Sequence, residues 1–517
     1  MSAAQPYFLT TPIYYVNDLP HLGHAYTTVA CDVLARFMRL DGREVKFLTG
    51  TDEHGQKVER SAQARGQTPQ QFADEISGAF RAMGRLLNIS NDDFIRTSEE
   101  RHVRGVQALW QELEHRGEIY LGRFAGWYSV RDEAFYDESE LIGGPGGTQI
   151  APTGAEVEWL EEDNYFFRLS AWQDRLLAFY DAHPEAIAPR SRRNEVISFV
   201  KGGLRDLSIS RTSFSWGIPV PGDPRHVIYV WLDALANYIT ALGYPEVESY
   251  DFATFWPAEL HMVGKDILRF HTVYWHAFLM AAGIAPPRRV FAHGWWTVEG
   301  QKMSKSVGNF IPPHELVERY GRDPLRYFLL RELPFGNDGD FSHRAMVGRL
   351  NGDLANDFGN LAQRVLAMIN RNCGAAVPEP GPFAAADERL LGAARGLLAR
   401  VRPLLIEQSF HLALETIWRL VADANRYVDE QAPWALRRSD PSRMATVLYS
   451  LAEVLRHLAI LVQPFVPDAA AALLDQLAVP PGARRFADLA DTLPPGRALP
   501  APHGIFPRFV ETEAADG

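Results

Sequence analysis

Cysteine is scarce in this sequence, whose 517 residues include only Cys31 and Cys373. Cys31 lies inside an apolar helical run, and Cys373 follows a polar turn. Two isolated thiols cannot build a disulfide framework, and a zinc knuckle made mainly of cysteines is excluded. We therefore expect a reducing, cytoplasmic environment.

Long apolar runs and a leader pattern are also missing. No segment approaches the roughly 20 uninterrupted apolar residues that a membrane span requires. The N-terminus runs directly into a strand pattern, without the basic stretch and apolar run of an export signal. We expect no association with a membrane.

An excess of positive charge is missing as well. The sequence has 52 Lys and Arg against 64 Asp and Glu, so its formal net charge is -12. Proteins that coat nucleic acid indiscriminately rely on many Lys and Arg contacts to phosphate, and this composition argues against that class. A single RNA partner on a local basic face stays possible.

The length and the 46% hydrophobic content predict a globular protein of two or three domains.

The first 55 residues predict a strand, a helix and a second strand. Residues 7–11 are rich in β-forming side chains, residues 24–40 show helical spacing, and residues 45–49 form another strand-like run. In open parallel sheets, ligands bind beyond the carboxyl ends of the strands. The polar residues that follow these strands are therefore candidates for a ligand site.

Two short polar motifs, far apart in the chain, suggest that the ligand is a nucleotide. The first motif is His-Leu-Gly-His at residues 21–24, and the lysine motif is Lys-Met-Ser-Lys-Ser at residues 302–306. A helix N-terminus attracts phosphate, and Gly23 leaves the backbone accessible. The Gly-x-x-x-x-Gly-Lys of a P-loop is absent. Each motif taken singly is typical of a solvated loop, but the pair indicates a polyphosphate site formed from two halves.

This pair resembles the signature motifs of class I aminoacyl-tRNA synthetases, and further residues resemble those of the methionyl enzymes. The resemblance extends to about residue 480. It implies an α/β Rossmann-like catalytic domain with a parallel sheet, an inserted connective α+β domain and a C-terminal α-helical bundle. The implied boundaries are 1–117 and 230–344 for the two halves of the catalytic domain, 118–229 for the connective insertion, and 345–517 for the anticodon-binding domain and tail.

The resemblance also implies an activity. The enzyme would activate L-methionine with ATP, giving methionyl-adenylate and pyrophosphate, and would then transfer methionine to the 3' end of initiator and elongator tRNA(Met). Magnesium would accompany the phosphates of ATP. The implied catalytic residues are His21, His24, Lys302 and Lys305. The implied ATP-binding residues are Gly23, His293, Gly294, Lys302, Met303, Ser304 and Lys305.

The amino-acid pocket must accommodate an ammonium group and an unbranched thioether. By resemblance, Asp52 would accept the ammonium and Asp266 would brace the floor. The implied wall of the pocket comprises Ile13, Tyr15, Trp231, Ala234, Tyr238, Phe270, His271 and Trp275. Aromatic contacts to sulfur contribute roughly 0.3–1.5 kcal/mol each. Taken singly, each aromatic is more typical of core packing, and Asp52 is also typical of a turn.

The connective insertion of many methionyl enzymes carries zinc knuckles. Here Ser129 and Asp132 stand where the spacing would place a Cys-x-x-Cys pair, so we predict no bound zinc.

In the helical domain, Asn360, Arg364 and Trp434 match positions that read the anticodon. An exposed Trp stacks on an unpaired base, and Arg or Asn can bond to base edges. Without the resemblance, Trp434 would be interpreted as a core residue and Asn360 as part of a polar face.

Alternatives to this interpretation stay open at this point. Another class I synthetase is one, although the insertion is too short for the editing domain of the leucyl, isoleucyl and valyl enzymes, and the cysteinyl enzyme needs thiolate-bound zinc. A non-catalytic tRNA-binding paralogue is a second, and a nucleotidyltransferase a third. The two motifs argue against a pure binding protein, because it needs no transition-state clamp. We expect a monomer.

Overall fold

The structure is a computed structural model. It describes residues 5–511 except residues 133, 137, 145–147, 299–300 and 303–310, and describes residues 124, 134, 135, 301 and 302 by their backbone alone.

Within the described residues, the catalytic half is built on a sheet of seven strands that pair in parallel. From one edge the strands are Ile187–Ala188, Val290–His293, Leu260–Gly264, Pro6–Thr10 and Glu44–Asp52, and the last of these also pairs with Tyr14–Tyr15 and Asp93–Arg96. Since the strands run in the same direction, their carboxyl ends meet at one edge. This confirms the predicted parallel sheet.

Helices cover this sheet. They are Leu22–Leu40, Gln56–Ala64, Pro69–Leu86, Glu100–His115, Val230–Thr240, Tyr250–Phe255, Phe270–Tyr274, Trp275–Ala281, Pro313–Tyr320 and Arg322–Arg331. In the first of them, the apolar residues Val29, Val33 and Phe37, which produce the helical spacing of residues 24–40, are fully buried. The helix begins two residues earlier than its periodicity predicts, because His21 caps it.

The connective insertion has a separate antiparallel sheet. Across this sheet the strands are Leu207–Ser208, Glu158–Phe167, Ile119–Ser129 and Ala134–Tyr136. Shorter strands are Ile142–Gly143, Gln149–Ile150, Ser210–Arg211, Pro219–Val220 and Asp223–Ile228, and the helices are Gln173–Ala182 and Arg190–Lys201. The α+β character is as predicted. The strand Ile187–Ala188 lies within residues 118–229 yet belongs to the central sheet.

The C-terminal part is a helix bundle, as predicted. Its helices are His343–Arg349, Leu350–Gly359, Asn360–Asn372, Ala385–Arg395, Leu397–Ile406, Phe410–Gln431, Pro433–Ser439, Pro441–Val462 and Pro467–Gln476. Within the described part of the chain, one helix, Pro441–Val462, has the length and composition of a membrane span, and 94% of its apolar window is buried inside the protein. It is the central helix of the bundle, packed against the helices on both sides of it in the sequence.

Two features of the C-terminal half differ from the sequence-based expectation. The sequence shows no strand pattern after Arg331 and so predicts no strand there. This expectation is wrong, because Gly339–Phe341 pairs with Trp296–Val298, which also pairs with Gln301–Lys302. Strands of two or three residues are too short to show a period. The tail after residue 494 is ordered by tertiary contacts, since Asn351 exchanges two hydrogen bonds with the backbone of Phe509.

Candidate active site

The first motif forms a reciprocal hydrogen-bonded cap at the start of helix Leu22–Leu40. The backbone N–H of Gly23 donates to Nδ1 of His21 at 3.0 Å, and the backbone N–H of His21 donates to Nδ1 of His24 at 3.1 Å. The two imidazole rings stack with their centroids 3.8 Å apart. Both rings therefore have fixed orientations at the carboxyl edge of the sheet.

These hydrogen bonds also determine which ring nitrogen carries the proton. Burial lowers the pKa of His21 to about 4, against a smaller opposing effect of Asp18 and Asp266. Burial and the neighbouring His21 lower the pKa of His24 well below its ordinary value. Both rings are neutral at pH 7, and each Nδ1 accepts a backbone N–H. The proton of each ring consequently lies on Nε2, which makes Nε2–H the donor toward a ligand.

Two glycines at the site are required by close packing. A Cβ atom on Gly23 would lie 2.9 Å from Cε1 of His21, so this glycine makes room for the capping ring. A Cβ atom on Gly294 would lie 2.3 Å from the carbonyl oxygen of Asn337. Gly294 therefore allows the last strand of the sheet to pass against the segment before Gly339–Phe341.

His293 ends the strand Val290–His293 and is buried. Its Nδ1–H donates to the carbonyl oxygen of Gly294 at 2.8 Å, and its Nε2 bonds to the hydroxyl of Thr27 at 2.7 Å. Burial lowers the pKa of His293, so the ring is neutral. Both ring nitrogens are used within the protein. The ring joins the end of the strand to the helix that carries the first motif.

The lysine motif begins on a hairpin next to this strand. The backbone of Lys302 pairs with Thr297, in the strand Trp296–Val298. Its side chain is not described, and Met303, Ser304 and Lys305 lie outside the described residues. The hairpin is attached to the sheet edge through Trp295, whose Nε1–H donates to Asp266 at 3.1 Å.

Asp266 and Lys265 lie at the rim of the site. Lys265 forms an ion pair with Asp338 at 2.7 Å and lies over the ring of Trp295 at 4.2 Å. Asp266 is exposed, and its carboxylate accepts the indole N–H of Trp295. It follows Gly264, the last residue of a central strand.

Asp52 is the final residue of the strand Glu44–Asp52 and is 8% exposed. It pairs with Tyr15, and its carbonyl oxygen accepts the N–H of Val16 at 3.0 Å. Its backbone is therefore held by the sheet and not by an isolated turn. The carboxylate stands at the same sheet edge as the first motif.

The residues expected to form the amino-acid wall lie on the segment before helix Leu22–Leu40 and on three helices, Val230–Thr240, Phe270–Tyr274 and Trp275–Ala281. Trp231 stacks on Phe270 with centroids 3.7 Å apart, and Tyr238 donates its hydroxyl proton to Nε2 of His271 at 2.7 Å. Nδ1–H of His271 donates to a backbone oxygen, and burial lowers the pKa of this ring to about 4. The half-buried members of the wall are Ile13, Tyr15, Trp231 and Phe270. The buried members are Ala234, Tyr238, His271 and Trp275.

The three expected anticodon residues lie on the helical bundle. Asn360 is exposed and begins helix Asn360–Asn372, and Arg364 follows it by one turn. Arg364 donates to Asn425 at 2.9 Å and to Asp429 at 3.3 Å. Trp434 is 55% exposed, so it is a surface residue and not part of the core.

The segment that would carry a zinc knuckle is held by hydrogen bonds. The N–H of Asp132 donates to the hydroxyl of Ser129 at 3.2 Å, and the carboxylate of Asp132 accepts from Tyr136 at 2.9 Å and from Thr153. Among the residues that the structure describes, no three His, Cys, Asp or Glu side chains are placed to hold a metal ion.

The structure adds a buried polar group that sequence reasoning missed. His54 and His102 both bond to the carboxylate of Asp233, and His261 stacks on Tyr238 with centroids 4.0 Å apart. His54 stands two residues after Asp52, and Asp233 stands two residues after Trp231. This closeness to both candidate groups was the signal in the sequence that could have identified them.

The chain matches known proteins along almost its whole length. Residues 7–366 match the family model described as tRNA synthetases class I (M), and residues 377–516 match the anticodon binding domain of methionyl tRNA ligase. The methionine--tRNA ligase of Brucella suis biovar 1 (strain 1330) is 58% identical over 510 residues, which cover 98% of this chain and 99% of that protein. That of Mycobacterium leprae (strain TN) is 53% identical over 520 residues, covering 99% and 97%.

Solved structures are equally similar. The Mycobacterium tuberculosis methionyl-tRNA synthetase in complex with methionyl-adenylate matches with a TM-score of 0.96 at 54% identity, covering 98% of this chain and 100% of that one. The free-state structure of the same enzyme matches with a TM-score of 0.90 at 50% identity, covering 98% and 99%.

Proposed function

Since this chain belongs to the methionyl-tRNA synthetase family of class I, we propose that its two reactions take place at the sheet edge formed by His21, His24 and Asp52. The chain is a methionine–tRNA ligase that uses ATP, and the ligase function is favoured over a non-catalytic paralogue. The observation that carries the assignment of the site is the pair of neutral imidazoles that the helix cap fixes at the carboxyl edge of the sheet, the edge at which the strand of Asp52 also ends.

Activation requires positioning and charge stabilisation, and no protein nucleophile. A carboxylate oxygen of methionine forms a bond to the α-phosphorus of ATP, and the bond from that phosphorus to the bridging oxygen breaks, releasing pyrophosphate. Nε2–H of His21 and of His24 would donate to the phosphoryl oxygens as their charge grows. Fixed donors of this kind need no reorganisation during the reaction. Lys302 and Lys305 would neutralise the leaving pyrophosphate.

Methionine would be held by its two ends. Asp52 would pair with the ammonium, and the thioether would lie against the half-buried faces of Trp231 and Phe270. Tyr238 donates its hydroxyl proton to His271, so this donor is used within the protein. A thioether is a weak acceptor and is well suited to such a largely apolar surface.

The ATP site would be completed around the first motif. Gly23 would allow the nucleotide to approach the backbone. Gly294, whose missing side chain makes room for the backbone of Asn337, and His293 would contribute by fixing the end of the last strand beside the first helix. Met303 and Ser304 would belong to the loop that brings the two lysines to the phosphates. Asp266, at the rim, stands beside the bonds that fix the base of that loop.

The helical bundle would recognise the anticodon of initiator and elongator tRNA(Met). Exposed Trp434 provides a face on which an unpaired base can stack, and Asn360 and Arg364 provide groups that can bond to base edges. Residues 345–517 would form this domain, residues 118–229 the connective insertion, and residues 1–117 and 230–344 the catalytic domain.

The proposal includes Mg²⁺ but no zinc. Mg²⁺ would accompany the phosphates of ATP, because this ion is commonly bound through substrate phosphates and waters. We propose that the hydrogen bonds of Asp132 hold the segment that a zinc ion holds in a zinc knuckle. Purified protein should therefore lack zinc. Stoichiometric zinc, measured by elemental analysis, would disprove this part.

The proposal includes a cytoplasmic monomer. All the side chains assigned to the site come from one chain, so a single copy would suffice. Both cysteines are free thiols, which suits a reducing compartment. Sedimentation analysis at micromolar concentration would test the monomer, and a dimer would contradict it.

An exchange assay tests the proposed function. ATP–pyrophosphate exchange is measured with a panel of amino acids that includes methionine, leucine, isoleucine, valine and cysteine, without tRNA. We expect rapid exchange with methionine and far slower exchange with the others. A failure of methionine to support exchange would disprove the proposed function.

A further inference from the structure

Asp233 is a buried carboxylate between two histidines. Its Oδ2 bonds to Nδ1 of His54 and its Oδ1 to Nε2 of His102, both at 2.7 Å. The side chains of Asp233 and His102 are 0% exposed. Burial acts to raise the pKa of Asp233, but the charge of His54 and the bonds from both histidines outweigh it and lower the pKa. A buried carboxylate needs such partners, so both bonds are integral to the fold.

The bond to His102 attaches one helix to another. Nδ1 of His102 bonds to the hydroxyl of Thr240 at 2.8 Å, and Thr240 lies on the same helix as Asp233. A Cβ atom on Gly105 would lie 2.4 Å from Thr240, so the helices Glu100–His115 and Val230–Thr240 are in close contact. This branch of the network supports the helix packing.

The bond to His54 reaches the ammonium side of the proposed amino-acid site. His54 stands two residues after Asp52, and the residue between them, Glu53, is fixed by two bonds from Arg96 at 2.6 and 3.0 Å. The indole N–H of Trp216 donates to the carbonyl oxygen of Glu53 at 2.5 Å. These bonds hold the segment after Asp52 in place, and His54 attaches it to the helix of Asp233.

The helix of Asp233 also carries the thioether side of the proposed site. Trp231 stands two residues before Asp233, and Ala234 directly follows Asp233. Tyr238 stands five residues after Asp233 on the same helix. The bond between Asp233 and His54 consequently joins the two halves of the amino-acid site.

We propose that Asp233 and His54 are positioning residues for amino-acid selection, which set the distance between the carboxylate of Asp52 and the wall of Trp231 and Ala234. This inference rests on the proposed methionine site. Methionine, norleucine and ethionine share an ammonium group and differ in the chain beyond it. With the ammonium bound, the distance between the two halves decides which chain fits the wall. A displacement of about 1 Å can change reactivity by up to roughly 10²-fold.

Four variants test this role in ATP–pyrophosphate exchange without tRNA. His54→Ala removes the N–H that Asp233 accepts, whereas His54→Asn keeps an amide N–H close to the position of Nδ1. For His54→Ala we expect the KM for methionine to rise about tenfold, the KM for ATP to stay within about twofold, and the preference for methionine over norleucine and ethionine to narrow about fivefold. His54→Asn is expected to restore the preference.

Asp233→Asn keeps the shape of the side chain and carries the test if His54→Ala does not fold. We expect it to shift the KM for methionine in the same direction, by about threefold. Thr240→Val is the matched control, because it removes the other partner of His102 and leaves the bond to His54 intact. It is expected to lower the melting temperature without altering the preference.

Three outcomes would overturn the inference. In the first, folded His54→Ala or Asp233→Asn keeps the preference of the unaltered protein. In the second, the KM values for methionine and ATP rise together, and in the third Thr240→Val narrows the preference as much as His54→Ala does. Absence of methionine-dependent exchange in the unaltered protein would instead contradict the proposed function itself, so the two failures are distinguishable.

Discussion

Arg326 and Asp32 form an ion pair at 2.7 Å in which neither side chain is exposed to solvent. Asp32 lies on helix Leu22–Leu40, the helix that begins with the first motif, and Arg326 lies on Arg322–Arg331. The other N–H groups of Arg326 donate to the carbonyl oxygens of Leu87, Pro464 and Phe465. Since residues 464 and 465 belong to the helical bundle, this one guanidinium joins the helix of the first motif to the bundle.

Loss of this guanidinium should strongly destabilise the protein. Burial acts to raise the pKa of Asp32, but Arg326 and Arg36 outweigh it and lower the pKa, so the carboxylate is charged. Arg326→Met leaves that buried charge with fewer partners, and we expect the free energy of unfolding to fall by about 3–5 kcal/mol. Urea unfolding at pH 7 measures this change.

An exposed ion pair provides the control for this prediction. Arg419 and Glu415 form a pair on a helix surface, where Arg419 is 71% exposed. Arg419→Met should cost less than about 1 kcal/mol. Equal losses for the two variants would contradict the role assigned to Arg326.

The cap and the chemistry of His21 can be separated by substitution. Asparagine is a good N-cap but lacks a donor at the position of Nε2, whereas alanine lacks both functions. His21→Asn should keep the free energy of unfolding within about 0.5 kcal/mol and His21→Ala should lower it by about 1 kcal/mol. Both should lower kcat of ATP–pyrophosphate exchange by roughly 10²–10³-fold.

Chemical denaturation and exchange kinetics on the same preparations check this prediction. If His21→Asn retained the kcat of the unaltered protein, the ring of His21 would act only as a cap. His21→Ala then serves as the reference for the loss of the cap.

Trp434 should contribute to tRNA charging and not to activation. Loss of one stacking face costs about 1–3 kcal/mol, so kcat/KM for tRNA in Trp434→Ala should fall roughly 5- to 150-fold. Methionine-dependent exchange without tRNA should be unchanged, since the bundle surface lies outside the catalytic domain. Aminoacylation and exchange assays measure the two effects.

Tyr250 supplies a control for exposed aromatic surface. It is 65% exposed and lies on the catalytic domain. Tyr250→Ala should leave both activities unaltered. An equal loss of activation and charging in Trp434→Ala would count against the anticodon assignment.

His276 should make the protein sensitive to acid. Burial, with a smaller contribution from His271, lowers the pKa of His276 to about 3. In the unfolded chain the pKa of a histidine is about 6.5. Between about pH 6.5 and about pH 3 the unfolded chain therefore binds a proton at His276 that the folded protein does not bind, so stability falls as the pH drops below about 6.5. For one such histidine the loss between pH 7 and pH 5.5 is about 1.2 kcal/mol.

His276→Leu should remove this share of the acid sensitivity. The difference in the free energy of unfolding between pH 7 and pH 5.5 should shrink by about 1.2 kcal/mol, as measured by urea unfolding at both values. Phe179, whose ring packs against His276 with centroids 5.4 Å apart, supplies the control. Phe179→Leu changes packing without removing an ionisable group and should leave the difference unaltered. An unchanged difference in His276→Leu would refute the prediction.

Much of the local architecture is predictable from the sequence. The strand run at residues 45–49 and the helical spacing over residues 24–40 are confirmed, because each element has a period that its own residues display. Pro441–Val462 is apolar enough to resemble a membrane span. The folded bundle explains the apolar composition of this helix, because other helices pack around it.

Other parts of the fold were not predictable. The strands Ile187–Ala188, Asp93–Arg96 and Gly339–Phe341 are too short to display a period, and they become strands only by pairing with partners remote in the chain. The tail likewise has no strong pattern, yet its Phe509 is fixed by Asn351.

The sequence by itself determined which residues could contact a phosphate, an ammonium group or a thioether, because side-chain chemistry is written in residue type and in motifs such as residues 21–24. The tertiary structure decided how those groups are used. It places the protons of His21 and His24 on Nε2, engages both nitrogens of His293, and joins His54 to Asp233 across 179 residues of chain. The physical reason is that hydrogen-bond partners depend on the packing of whole helices and strands, which a local pattern does not specify.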